Sequence, residues 1–204
     1  GTRRSRAKAG VVSYNACEPA CPGGSSQIKL RSAQVQNAHT RVWAVPLLTA
    51  AVVLTLDQIT KAWVVATLGP ETMSRFIPIA GDTVRIAYSH NTGVAFSMFQ
   101  GHPELLTVAA MLIIAGAIYF YATQLPNHRT PIQLIMGLIM GGAFGNLVDR
   151  IRLGYVVDFI QVGWFPIFNI ADSAISVGAG LLMLQFIRDE LAQRRRAGDE
   201  QALT

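Results

Sequence analysis

Charge is scarce in this chain. Lys, Arg, Asp and Glu make up 14% of its 204 residues, against about a quarter in an ordinary soluble domain. With 51% hydrophobic residues, that deficit argues against an average water-soluble domain and for a small integral membrane protein with one membrane domain. Cysteine is nearly absent too. Cys17 and Cys21 are the only two. No second Cys or His pair lies near them, so a tetrahedral metal site is incomplete and the pair reads as incidental. The four histidines, His39, His90, His102 and His128, are scattered, and no HExxH stretch occurs. No metal and no cofactor is therefore expected. GxSxG and P-loop signatures are missing as well. The net charge is +5, but the basic residues gather at the chain ends rather than in a patch interleaved with aromatics. That suits membrane topology and gives no reason to expect a nucleic-acid partner.

What is present is four apolar runs. They extend from about Arg41 to Leu68, Glu104 to Thr123, Pro131 to Val148, and Ile170 to Ile187. Each is near the roughly 20 residues a helix needs to cross a bilayer. Residues 1–40 are polar and read as a disordered basic tail, and residues 191–204 as a C-terminal tail. Between them, residues 41–190 form the expected membrane domain. Arg3, Arg4, Arg6, Lys8, Lys29, Arg31 and Arg41 precede the first run. Arg129 sits between the second and third, and Arg188, Arg194, Arg195 and Arg196 follow the fourth. The other two links hold only Arg75, Arg85, Arg150 and Arg152. The positive-inside rule then puts both termini in the cytoplasm and the links near 69–103 and 150–169 outside. Within the first link, FIPIAG, TVRIAYSHN and VAFSMF are strand-like, with Gly81-Asp82 and Asn91-Thr92-Gly93 as turns. The second link is β-branched and aromatic, and Trp164, Phe165 and Phe168 suit the headgroup belt. The expected fold is thus mainly α, four transmembrane helices with a small extracytoplasmic antiparallel β-sheet. The Gly/Pro-bounded QGHP loop before the second run is a candidate cover for whatever lies beneath.

Several polar residues sit where they are costly. Asp57 and Lys61, at i and i+4, share a helical face in the outer part of the first run and read as an ion pair. Gly137, Gly141 and Gly145 form a ridge for close helix packing. Gly142, Asn146, Asp149 and Arg150 bring an amide, an acid and a guanidinium to the outer end of the third run. Arg150 there can anchor the helix or pair with an acid or a lipid phosphate. Asn169 and Asp172 open the fourth run three residues apart, on one face. Asp158, fourteen residues before Asp172, is flanked by Val157 and Phe159. Each aspartate alone reads as a helix-cap or turn acid. Together they suggest a pair. Two carboxylates close together share one proton, so one takes a proton from water while the other protonates a carbonyl oxygen. A Ser–Lys dyad of Lys61 with Ser97 or Ser173 stays open at this stage. So does a channel or transporter subunit using Asp57, Lys61 and Asp172 as an ion path.

In order along the chain, DQITK (57–61), NTGVAFS (91–97), GGAFGNLVDR (141–150) and VVDFI…FNIADS (156–173) resemble the motifs of bacterial lipoprotein signal peptidase, or signal peptidase II. The resemblance covers about residues 41–188. It implies a membrane aspartyl endopeptidase of the bacterial inner membrane. Its substrate would be a prolipoprotein carrying a diacylglyceryl cysteine, cut immediately before that cysteine. By motif match Asp158 and Asp172 would be the catalytic pair, with Asn91, Asn146, Arg150 and Asn169 positioning substrate. Asp57, Lys61 and Asp149 match support positions. Globomycin-type cyclic peptides would inhibit, and membrane lipids would be the other partners. Nothing in the spans calls for a second copy, so a monomer is expected. The GxGD motif of prepilin- and presenilin-type proteases does not occur.

Overall fold

A computed structural model describes residues 24–69, 75–81, 83–92 and 103–202. The chain divides into Gly1–Ala38 and His39–Thr204, and the site lies wholly in the second part. Among the described residues there are four helices: α1 (Gly24–Leu68), α2 (Pro103–Thr123), α3 (Thr130–Leu153) and α4 (Ile170–Ala202). Each contains a stretch long and apolar enough to span a bilayer, Val42–Leu68, Glu104–Thr123, Thr130–Leu153 and Ile170–Asp199. The protein is a multi-pass membrane protein.

Two helices exceed their apolar runs. α1 reaches back to Gly24, into the stretch expected as tail. Between Gly24 and Pro46 the chain holds neither glycine nor proline, so nothing in that stretch breaks a helix. α4 continues to Ala202. There Glu190 and Arg194 pair at 2.8 Å across one turn, an arrangement that supports a solvated helix. Residues 1–23, with Cys17 and Cys21, lie outside the described set. So do the VAFSMF stretch and most of QGHP.

α3 is the hub of the bundle. The share of its apolar window buried within the protein is 61%, against 11–17% for the other three. Its sequence explains this. A Cβ at Gly137 would come within 2.5 Å of Thr49 Cβ, one at Gly141 within 2.8 Å of Ala50 O, and one at Gly145 within 2.6 Å of Asp57 Oδ2. The glycine ridge therefore lets α1 lie against α3 at a distance no side chain would permit. Gly142, on the adjoining stripe, makes the same allowance for α4, since a Cβ there would collide with Ala171 O. α3 ends at Gly154, whose φ of +81° closes the last turn with an N–H bond to Arg150 O.

Pro46 lies inside α1 and cannot donate to the carbonyl four residues before it, Val42. The buried Tyr121 hydroxyl of α2 donates to that oxygen instead. A carbonyl freed within hydrocarbon is thereby satisfied.

The remaining elements form a three-stranded antiparallel sheet, β1 (Phe76–Ala80), β2 (Val84–Asn91) and β3 (Val156–Val162), in that order. Val64 and Leu68 at the end of α1 pack with Tyr88, Val157 and Phe159, which seats β2 and β3 on the bundle. After β3 the chain turns at Gly163, whose φ is +53°. It then runs back along the strand so that Phe168 bridges Ile160. This return delivers Asn169 beside Asp158, one residue before α4 begins.

Candidate active site

The N-terminus of α4 is where the site is built. Asn169 caps it, with Oδ1 accepting the Asp172 N–H at 2.9 Å. Asp172 Oδ2 in turn accepts the Asn169 N–H at 3.3 Å. This is a reciprocal capping box, which pins the Asp172 carboxylate at the first turn. Its other oxygen, Oδ1, accepts from Asn146 Nδ2 of α3 at 2.7 Å. Asp172 is half-buried.

Asp158 comes from the middle of β3 and is buried. Its Oδ1 accepts from Asn169 Nδ2 at 2.8 Å, and its Oδ2 from Asn91 Nδ2 at 3.0 Å. Asn91 reaches it because Ser89 of β2 is the cross-strand partner of Asp158, which puts Asn91 on the diagonal. One residue, Asn169, thus binds both carboxylates, one by its backbone and one by its side chain. Burial, and then the neighbouring charge of Asp172, push the Asp158 carboxyl up to about 7, against the pull of the Asn91 and Asn169 hydrogen bonds and of Lys61.

Beneath this pair lies a buried ionic cluster. Lys61 Nζ bonds Asp57 Oδ2 at 2.8 Å, Asp149 Oδ2 at 2.9 Å and Asn146 Oδ1 at 3.1 Å. With Lys61 and Asn169 both donating to that oxygen, the Asn146 amide has one orientation, Nδ2 toward Asp172. The acids of the cluster are used twice. Asp57 Oδ1 accepts the Ala171 N–H of α4 at 3.0 Å, and Asp149 Oδ2 accepts the Val157 N–H of β3 at 3.1 Å. The elements that carry the two carboxylates are therefore tied to the same lysine. Arg150 donates to Asn146 O at 3.3 Å and lies in the field of Asp172, Asp158 and Asp149.

Asp57, Lys61, Asn91, Gly142, Asn146, Asp149, Arg150, Asp158, Asn169 and Asp172 thus fall in one connected region. Gln58 was missed. Its amide donates to Asp149 Oδ1 at 2.9 Å and more weakly to Gly145 O and Asp57 Oδ2, both at 3.3 Å. A second polar residue beside Asp57 in an apolar run was the available signal. The Ser173–Lys61 dyad is not formed. Ser173 Oγ bonds Asn169 O, and Lys61 is committed to Asp57, Asp149 and Asn146. Ser97 lies outside the described residues.

Residues 49–188 match the family model described as "Signal peptidase (SPase) II". The chain belongs to the signal peptidase II family. Three curated relatives each carry the name lipoprotein signal peptidase, and one of them, from Dehalococcoides mccartyi, is 46% identical over 140 residues, covering 67% of this chain and 85% of the relative. One from Halothermothrix orenii is 39% identical over 149 residues, covering 72% and 95%. One from Mycobacterium leprae is 43% identical over 141 residues, covering 66% and 67%. Two solved bacterial membrane enzyme structures, obtained by the in meso method, superpose with TM-scores of 0.64 and 0.62. Each is 30% identical and covers 71% of this chain, and 88% and 93% of its own. Signal peptidase II membership makes this chain a membrane protease. It also covers every element that builds the site, from the second half of α1 to the first half of α4.

Proposed function

We propose that this protein removes the signal peptide from prolipoproteins whose cysteine carries a diacylglyceryl group, cutting immediately before that cysteine. In this proposal Asp158 and Asp172 activate water as an acid/base pair, without metal, cofactor or covalent intermediate. The observation that carries it is the shared bonding of Asn169. A buried acid and a half-open one are held on a single residue, where a water and a peptide carbonyl can lie between them. Asp172, the more open of the two, takes the water proton. Asp158 supplies the proton to the carbonyl oxygen. The names of the relatives support the lipoprotein substrate. Apolar side chains exposed along α1, α2 and α4, such as Leu48, Leu112 and Met183, suit contact with lipid and with the diacylglyceryl tails. The distribution of Lys and Arg supports cytoplasmic termini and a site at the outer face. Asn91, Asn146, Arg150 and Asn169 position substrate. A globomycin-type cyclic peptide competes for the same place.

The purified protein in detergent or nanodiscs is expected to cleave a diacylglyceryl-modified prolipoprotein. The unmodified polypeptide should be cleaved at least about 100-fold more slowly, because the lipid anchors the reacting bond at the site. Equal cleavage of the two contradicts the substrate assignment. A pH dependence follows as well. Asp158, pushed up to about 7, holds its proton below that pH and loses it above. The value of kcat/KM should therefore fall above about pH 7, approaching tenfold per unit. A profile that stays level from about pH 6 to about pH 9 would count against Asp158 as the acid.

A further inference from the structure

A second polar site lies on the sheet. A cleft of about 370 Å³ is lined by Arg75, Phe76, Arg85, Ser89, Gln161 and Ile167. Arg85 is held on two sides. Its Nε donates to Gln161 Oε1 at 2.8 Å, and its guanidinium carbon lies 4.8 Å from the centre of the Phe76 ring. Both contacts leave the two terminal nitrogens for a ligand, in the fixed fork that matches a carboxylate. Arg75 is exposed. Neither arginine pairs with an acid among the described residues. Ser89, which also lines the cleft, is the cross-strand partner of Asp158.

Resting on the reading above, we infer that this cleft is an exit-side subsite, which binds an acidic side chain of the substrate downstream of the cleaved bond. The signal peptide lies in the membrane, so the mature part of the substrate leaves the carboxylate pair on the sheet side. Ser89 and Arg85 are four residues apart along β2, about 13 Å in an extended strand. A chain leaving alongside β2 brings a residue about four positions after the cut to the two guanidiniums. Continuity with Asp158 favours polypeptide over a lipid headgroup as the occupant.

Three lipidated prolipoprotein peptides, differing only in Asp, Asn or Lys about four residues after the cysteine, test this. Cleavage is followed in nanodiscs, and binding of the same fluorescently labelled peptides is followed on the Asp172→Asn protein. Expected is a KM about fivefold lower for the Asp peptide than for the Asn peptide, with kcat unchanged. The Lys peptide should be poorest. The preference should weaken at high salt and vanish in Arg75→Gln/Arg85→Gln. Binding should follow the same order. If the peptides are cleaved but cleaved and bound alike, or if the double variant keeps the preference, the subsite falls and the peptidase reading stands. If none is cleaved but the binding order holds and needs the arginines, the peptidase reading falls and the subsite stands. If anionic lipid in the nanodisc instead changes cleavage by the wild type equally for all three peptides, and the double variant loses that response, the arginines serve headgroups and the inference is overturned.

Discussion

Lys61→Met is expected to lower the stability of the folded protein by about 3–5 kcal/mol, the usual cost of removing one partner from a buried ion pair. Lys61 is the only cation bonded to Asp57 and Asp149 among the described residues, and all three are buried. Methionine fills the space of the lysine stem but leaves two carboxylates without a counter-charge. Thermal unfolding in detergent should shift down on the order of 10 °C for a chain of this size. The loss should be partly recovered by adding Asp149→Asn, which removes one of the orphaned charges. A single variant melting within about 2 °C of the wild type would show that the cluster does not hold the site together. The arrangement makes a second expectation reasonable. Because Asp57 anchors Ala171 and Asp149 anchors Val157, activity should fall along with stability rather than independently of it.

Much of this was legible in the chain. The i, i+4 spacing of Asp57 and Lys61, the glycine ridge of the third run and the apolar setting of Asp158 each flagged a real feature, because each is a local pattern. The meeting of these features was not legible. Asp57 and Ala171 lie 114 residues apart, and they touch only because Gly142 and Gly145 let α4 and α1 close on α3. Asp158 comes to Asn169 through the turn at Gly163 and the Phe168–Ile160 bridge, where weak turn signals decide a tertiary outcome. Cross-strand register, which sets Ser89 opposite Asp158, is interrupted by an irregularity between Ile86 and Ser89, and no residue pattern announces it. Helix length also exceeded the apolar runs, since helical propensity continues past the point where hydropathy stops. The orientation of the Asn146 amide depends on two donors far apart in the chain, Lys61 of α1 and Asn169 just before α4, and has no sequence signature.

Asp158→Asn and Asp172→Asn should each lower kcat/KM by about 1,000-fold or more, since each removes a proton-transfer group from the transition state. The side-chain shapes are retained, so folding should survive. In either variant the new amide keeps one oxygen, and with it one of the two hydrogen bonds that the native carboxylate accepts. The donor left facing the amide nitrogen costs about 1–3 kcal/mol. Substrate binding should change far less than turnover. The two losses should not multiply in the double variant, because the carboxylates work as one unit.

One experiment bears on that claim most directly. Wild type, Asp158→Asn and Asp172→Asn are placed in nanodiscs with a diacylglyceryl-modified prolipoprotein, and the products are followed by mass spectrometry. The wild type should release the signal peptide with its new carboxyl terminus at the residue before the lipidated cysteine. Both variants, shown to be folded by their melting curves, should leave the substrate intact over the same period. Cleavage at the wild-type rate by either folded variant would contradict the two-carboxylate account.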